Sequence, residues 1–213
     1  MADRVAFAWE GAALSGAWHR GGGRTCVVLA HGAGSTLDTP GLAAYADALA
    51  AAGVDAVRFN FPYAEAKRRV PDPRPRLVAA YRAVAEQVAS SAGEIYAGGR
   101  SMGGRIASHL AAEGFPLRGL VFLAYPLHPP RQPHLLRTAH LGAIAVPMLF
   151  LQGSRDAFAR MDLLRPAVAA LPAATLHVIE GADHSFSAAG RSPAEVVQEL
   201  AGATVDWMAD KRK

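Results

Sequence analysis

The sequence predicts an α/β fold, a mostly parallel central sheet with helices on both faces, and two observations carry that prediction. Short apolar, β-branched runs alternate along the chain with longer Ala-rich stretches of helical periodicity. Between one strand-like and one helix-like run sits a G-x-S-x-G pentapeptide, Gly99-Arg100-Ser101-Met102-Gly103. With 213 residues, 51% of them hydrophobic, residues 1–213 are expected to form a single domain around a substantial core.

The elements follow in order. Arg4–Glu10 and Leu14–Arg20, parted by Gly11, read as a hairpin. Thr25–Ala30 is a buried strand, Leu42–Ala52 a helix stopped by Gly53, and Val54–Phe59 a strand. Pro71-Asp72-Pro73-Arg74-Pro75 is a rigid loop. Arg76–Ser90 is a helix presenting Leu77, Ala80, Tyr81, Val84 and Val88 on one face. Ile95–Gly98 is a strand and Met102–Glu113 a helix with Ile106, Ala107, Leu110 and Ala111 inward. Leu120–Ala124, Met148–Gln152 and Leu176–Glu180 are strands, and Asp162–Ala170 and Pro193–Met208 are helices. The stretch 126–147 holds five prolines and three histidines. It is too short for a helical cap domain and reads as a loop bordering the site.

Composition excludes several classes. No apolar run is long enough to cross a bilayer. The start Met1-Ala2-Asp3-Arg4-Val5 carries an early acid and no apolar core of a signal peptide, so a cytoplasmic location is expected. Cys26, the single cysteine, lies within an apolar strand and reads as a buried thiol. The net charge of +4 comes with basic clusters at Lys67-Arg68-Arg69, at Arg74 and Arg76, and at Lys211-Arg212-Lys213. None forms a continuous basic stripe with interleaved aromatics, so they read as solvated faces and a tail, with no nucleic acid expected as partner.

The pentapeptide points to acyl chemistry through its context. A sharp strand-to-helix turn lifts a serine clear of the sheet and places the N–H of the next residue, Met102, at a helix N-terminus, where it can hold an oxyanion. The glycines two before and two after the serine are expected to approach each other, leaving no room for a Cβ. A serine needs a base, and the base an orienting carboxylate. Two later strand ends supply them. Asp156 follows Leu149-Phe150-Leu151-Gln152 across a Gly-bearing turn, and His184 follows Leu176-His177-Val178-Ile179. Among the rivals, Asp183 is expected to shape its loop through backbone bonds, Asp162 to begin a helix, and His177 to pack within a strand or at an edge. After the strand Thr25–Ala30 the chain reads His31-Gly32-Ala33-Gly34-Ser35, which suggests the N–H of Ala33 as second oxyanion donor and His31 as a residue that orders the loop. No His/Cys/carboxylate cluster has metal-ligand spacing, and neither a metal nor an organic cofactor is expected.

The chain resembles the α/β-hydrolase superfamily from the HGAG segment at 31–34 to the GADHSF segment at 181–186. Asn60-Phe61-Pro62-Tyr63, Pro71-Asp72-Pro73, Gly98-Gly99-Arg100-Ser101-Met102-Gly103-Gly104 and Tyr125-Pro126-Leu127-His128-Pro129-Pro130 together resemble a small, cap-less, dienelactone-hydrolase-like branch. The relatives of that branch include a testis-expressed protein and a subunit of a non-specific-lethal histone acetyltransferase complex. The resemblance implies an α/β-hydrolase fold without a cap domain and a Ser–Asp–His triad. Dienelactone hydrolases use a cysteine nucleophile where this chain has Ser101.

The expected function is that of a serine hydrolase of carboxylic esters or related acyl bonds. Ser101, Asp156 and His184 are the catalytic residues, and a small-molecule acyl compound is the partner. An open, shallow pocket is expected from His31, Phe61, Tyr63, Arg100, Tyr125, Phe158 and Phe186, with Arg100 or Arg155 as candidates to pair with a substrate carboxylate. The alternative class is a non-catalytic binding or scaffold protein that keeps the fold. No membrane partner is expected, and the sequence carries no signal for oligomeric state.

Overall fold

A computed structural model describes residues 2–211. Met1, Arg212 and Lys213, which belong to the N-terminal and basic-tail readings above, lie outside the described residues. One eight-stranded sheet runs through the molecule in the order β1-β2-β4-β3-β5-β6-β7-β8. Its strands are β1 (Asp3–Trp9), β2 (Ala12–His19), β3 (Thr25–Ala30), β4 (Asp55–Phe59), β5 (Glu94–Arg100), β6 (Gly119–Leu123), β7 (Met148–Gly153) and β8 (Ala174–Ile179). The hairpin β1–β2 and the pair β2–β4 are antiparallel, and the pairs from β4 to β8 are parallel. Parallel strands need crossovers, and the helices supply them.

The helices are α1 (Pro40–Ala51), α2 (Pro62–Glu65), α3 (Arg74–Ala89), α4 (Met102–Ala112), α5 (Met161–Ala169) and α6 (Pro193–Asp210). Helices α1 and α6 cover one face with Leu42, Tyr45, Leu49, Val196, Leu200 and Trp207. Tyr45 donates its hydroxyl hydrogen to Thr204 Oγ1 at 2.7 Å, because Thr204 donates its own to the Leu200 carbonyl. Helices α3, α4 and α5 cover the other face with Leu77, Tyr81, Ile106, Leu110, Leu164 and Val168. Strands buried on both faces read as near-continuous apolar runs, which is why β3, β6 and β7 were legible, whereas β4 carries Asp55 and Arg58 among its apolar residues.

The structure departs from the sequence reading at the end of β5, at α2, and at Arg74 and Pro75, which belong to α3 and not to the loop before it. Strand β5 runs on to Arg100, because Gly99 still pairs with Ala30 and Arg100 with Leu123. The single turn α2 was not anticipated. Residues 126–147 hold one 3-10 turn, Leu141–Ala143, and form no cap domain. No helix among the described residues is long and apolar enough to cross a membrane.

Buried beneath the strand-to-helix turn, Tyr81 braces the sheet from α3. Its hydroxyl accepts the Gly98 N–H at 2.8 Å and shares its hydrogen between the carbonyls of Val28 (2.6 Å) and Gly98 (2.9 Å). Tyr81→Phe strands these groups in the core and is expected to cost about 1–3 kcal/mol. A thermal melt should show a Tm lowered by several degrees. An unchanged Tm would mean that Gly98 finds other partners.

Candidate active site

Packing at the end of β5 dictates the turn at Ser101. A Cβ on Gly99 or on Gly103 would collide with the Ala30 carbonyl oxygen of β3, so glycine is required at both. The two glycines thus meet a common neighbour rather than each other. The pair that does touch is Gly104 and Gly99, where an added Cβ would lie 2.8 Å from the Gly99 oxygen. Ser101 adopts φ 51°, ψ −114°, a left-handed backbone that costs a β-carbon residue about 1–3 kcal/mol. Its N–H donates to the Leu123 carbonyl (2.8 Å) and its carbonyl accepts from Arg105 (3.1 Å), which hold the turn from both sides. Met102 opens α4, so its N–H belongs to the first turn, whose amides have no partner within the helix.

Past the ends of β7 and β8, two loops are laced together. A Cβ on Gly153 would strike the carbonyls of Ala182 and Asp183. Ser154 and Arg155 donate backbone N–H groups to Ile179 and Ala182. This lacing puts Asp156 beside His184. The buried Asp156 carboxylate accepts three hydrogen bonds: His184 Nδ1–H at 2.7 Å and Gln152 Nε2–H at 2.5 Å on Oδ2, and the Phe158 N–H at 2.7 Å on Oδ1. These donors offset the loss of water around a buried charge. With Nδ1 bearing the proton, His184 Nε2 has its lone pair towards Ser101 Oγ, 3.0 Å away. Phe158 packs on the His184 ring, with ring centres 4.3 Å apart.

The segment after β3 lies against Ser101, since a Cβ on Gly32 would be 3.8 Å from the Ser101 Cβ. Its clamp is the Asn60-Phe61-Pro62-Tyr63 motif with its neighbours. His31 Nδ1–H donates to the Gly32 carbonyl (2.8 Å), and His31 Nε2 accepts the Phe61 N–H (3.1 Å). Burial holds His31 below the usual histidine pKa, consistent with this neutral tautomer. The Tyr63 hydroxyl donates to Gly32 O at 3.3 Å, and Asn60 Oδ1 accepts the Leu37 N–H at 2.7 Å. Buried Arg58 donates to the Leu37 carbonyl and to His19 Nε2 (2.9 Å), and His19 Nδ1–H donates to Asp47 (2.7 Å). Ala33 is an exposed residue of this clamped loop.

The pocket expectation needs correction. Phe61, Tyr63, Tyr125 and His31 are 0% exposed and belong to the core and the loop clamp, not to an open wall. Aromatic side chains next to strand ends pack inward here because both faces of the sheet are covered. Arg100 and Phe186 line a cavity of about 260 Å³ between α1 and α6, with Leu42, Tyr45, Leu123 and Leu200. Arg100 also donates Nη2–H to the His184 carbonyl and to Ser185 Oγ, both at 3.2 Å, so it anchors the histidine loop. Arg155 is exposed. Asp183 accepts the N–H groups of Ser185 (2.7 Å) and Ser187 (3.0 Å), Asp162 lies in the first turn of α5 paired with Arg160, and His177 on the edge strand β8 meets Glu199 at 3.0 Å.

Two supporting residues were missed. Gln152 steadies Asp156, and its signal was a polar residue at the end of an otherwise apolar strand. Buried His128 donates its N–H to the Phe158 carbonyl (3.0 Å) and accepts the Arg160 N–H on Nε2 (3.2 Å), tying residues 126–147 to the Asp156 loop. Among the described residues, no group of His, Cys, Asp and Glu could hold a metal ion.

Residues 23–209 match the family model described as Alpha/beta hydrolase domain. Among solved structures, the chain is similar to an alpha-beta serine hydrolase homologue from Coxiella burnetii, at 22% identity, TM-score 0.76, covering 94% of this chain and 96% of that one. It is similar to a serine hydrolase without lid from Xanthomonas campestris (19%, TM-score 0.76, 97% and 94% covered). It also resembles a dienelactone hydrolase from Anabaena variabilis (18%, TM-score 0.78, 99% and 97% covered). At these identities the likeness is one of fold.

The loop clamp predicts a local effect that hydrogen exchange can read. Asn60→Ala removes the acceptor of the Leu37 amide, whose exchange should speed up by roughly tenfold, the scale of one lost hydrogen bond. Amides of α6 should be unaffected. Equal protection of Leu37 in the variant would refute the clamp.

Proposed function

Because this chain belongs to the alpha/beta hydrolase domain family, we propose that it is a serine hydrolase acting on a carboxylic ester or related acyl bond of a small substrate. The observation that carries this reading is the unbroken hydrogen-bond chain from Ser101 Oγ through His184 to Asp156, at 3.0 and 2.7 Å. In the proposed reaction Ser101 Oγ attacks the acyl carbon while His184 Nε2 takes its proton. The imidazolium then gives that proton to the leaving group, and an acyl-enzyme forms. Water attacks the acyl-enzyme with the proton flow repeated, and Ser101 is regenerated. Asp156 keeps the proton on Nδ1 and stabilises the imidazolium between the steps. The N–H groups of Met102 and Ala33 are the proposed donors to the oxyanion.

Ser101→Ala and His184→Ala should each lower kcat/KM on a short activated ester by at least about 10³-fold, as when members of one catalytic unit are removed. A fluorophosphonate should label wild-type Ser101 and not the Ser101→Ala variant. Asp156→Asn should remain folded and lose most activity, because an amide in that place favours the wrong tautomer. Retained activity in Ser101→Ala would refute the mechanism. Damage from Asp183→Asn in place of Asp156→Asn would refute the assignment of the acid.

Two narrower outcomes follow. Ala33→Pro removes one N–H and should lower turnover by about 10²–10³-fold, with a thermal melt to check folding. A folded, fully active variant would place the second donor elsewhere. Without a cap domain, little protein can wrap a long acyl chain. Short acyl esters should therefore be preferred over long ones, with no activation at an oil–water interface, and the reverse order of kcat/KM would overturn this.

A further inference from the structure

One group of side chains has no part in the scheme above. Arg105 and His109 follow Ser101 by one and two turns of α4, about 6 and 12 Å along the helix axis. Residues four apart share a helix face. His140, from the 126–147 segment, stacks on His109 with ring centres 3.7 Å apart and bonds Ser108 Oγ at 2.7 Å. Ser108 gives its hydroxyl hydrogen to the Arg105 carbonyl (2.6 Å), so His140 donates its Nε2–H to Ser108. Tyr125 donates to the Arg137 carbonyl at 2.8 Å and so fixes Arg137 against the same wall.

This group is rich in donors and poor in acceptors. Several arginines elsewhere, among them Arg68, Arg118 and Arg160, are paired with acids. Among the described residues, neither Arg105 nor Arg137 meets a carboxylate, and both Arg105 Nε and His109 Nε2 are buried without a hydrogen-bond partner. Burial first pushes His109 and His140 down to about 4, followed for His109 by the neighbouring His140 and then Arg105, and for His140 by Arg105. Burial and Arg105 together lower Arg137. Buried beside Arg105, both rings are neutral near pH 7.

The geometry points to a binding site for an oxyanion group, carboxylate or phosphate, formed by Arg105, Arg137 and the stacked His109–His140 pair. An oxyanion is an acceptor with several lone pairs, and guanidinium forks match its geometry. The occupant is the charged end of the acyl substrate, whose reacting carbonyl lies one to two helical turns away at Ser101. This last step rests on the hydrolase reading, whereas the anion site does not. It also moves charge recognition from Arg100, which is engaged by the histidine loop, to residues further along α4.

The test separates binding from catalysis. Sulfate, phosphate and acetate are titrated into the Ser101→Ala protein at low ionic strength, with calorimetry and the His109 and His140 ring resonances as readouts. Saturable binding is expected, weakened at least about tenfold in Arg105→Gln and in Arg137→Gln. A bound anion favours the imidazolium forms, so sulfate should bind more tightly at about pH 5 than at about pH 7.5. Sulfate serves for this comparison because its own charge is constant over that range. Absence of saturable binding, or affinity unchanged in both variants, overturns the site. The second arm compares matched neutral and carboxylate- or phosphate-bearing esters with the otherwise unaltered enzyme. Their ratio of kcat/KM should fall at least about tenfold in Arg105→Gln, and the more sensitive ester identifies the anion. An unchanged ratio overturns the substrate assignment. Sulfate binding in a protein that hydrolyses no ester would count against the hydrolase reading and leave the anion site standing.

Discussion

The carbonyl oxygen of Ala30, at the end of β3, is the constraint around which this molecule is arranged. Gly99 from β5 and Gly103 from α4 both press on it at distances that admit no side chain. That contact brings α4 down onto the sheet directly after the strand, and the chain turns within the single residue Ser101. The left-handed backbone of Ser101 is a consequence, and the hydrogen bonds to Leu123 and from Arg105 help offset its cost. The same contact decides what lies beside the serine. The residues after Ala30 are His31 and Gly32, so the loop after β3 has to pass against Ser101.

Around this point, buried polar groups serve mainly to position backbone. Loops past strand ends have no ladder to satisfy their amides and carbonyls, so side chains must do it. His31, Asn60 and Arg58 do so for the 31–37 loop, Asp156 for the Phe158 amide, and Arg100 for the histidine loop. His128 performs the same service for the 158–160 backbone. The 126–147 segment, too short for a cap, thus serves as a brace. The site lies open while its walls are cross-linked, a combination suited to chemistry that depends on fixed distances more than on enclosure.

Much of this was legible in the chain. Strands covered on both faces announce themselves as continuous apolar runs, and helices by their 3.6-residue period, so each strand and every helix longer than one turn was found to within a few residues. Ser101, Asp156 and His184 were each legible as polar residues just past a strand end beside glycine. The structure brings these three within hydrogen-bond distance. What failed was part of the pocket, since Arg100 and Phe186 do line a cavity while His31, Phe61, Tyr63 and Tyr125 are buried. Phe61, Tyr63 and Tyr125 stand next to strand ends as a lining residue would, yet local spacing does not say which side of the sheet a ring enters.

The sequence on its own settled the order of elements and the identity of the polar residues at strand ends, because periodicity and turn chemistry are local properties. Three-dimensional packing settled the rest. The Gly99–Gly103 contact with Ala30, the lacing of the Gly153 and Ala182 loops, the engagement of Arg100 by His184, and the stacking of His140 on His109 each join segments from separate parts of the chain. No propensity encodes such meetings. They depend on which strands become neighbours in the sheet, and the strand order β4-β3-β5-β6-β7-β8 is a property of the whole core.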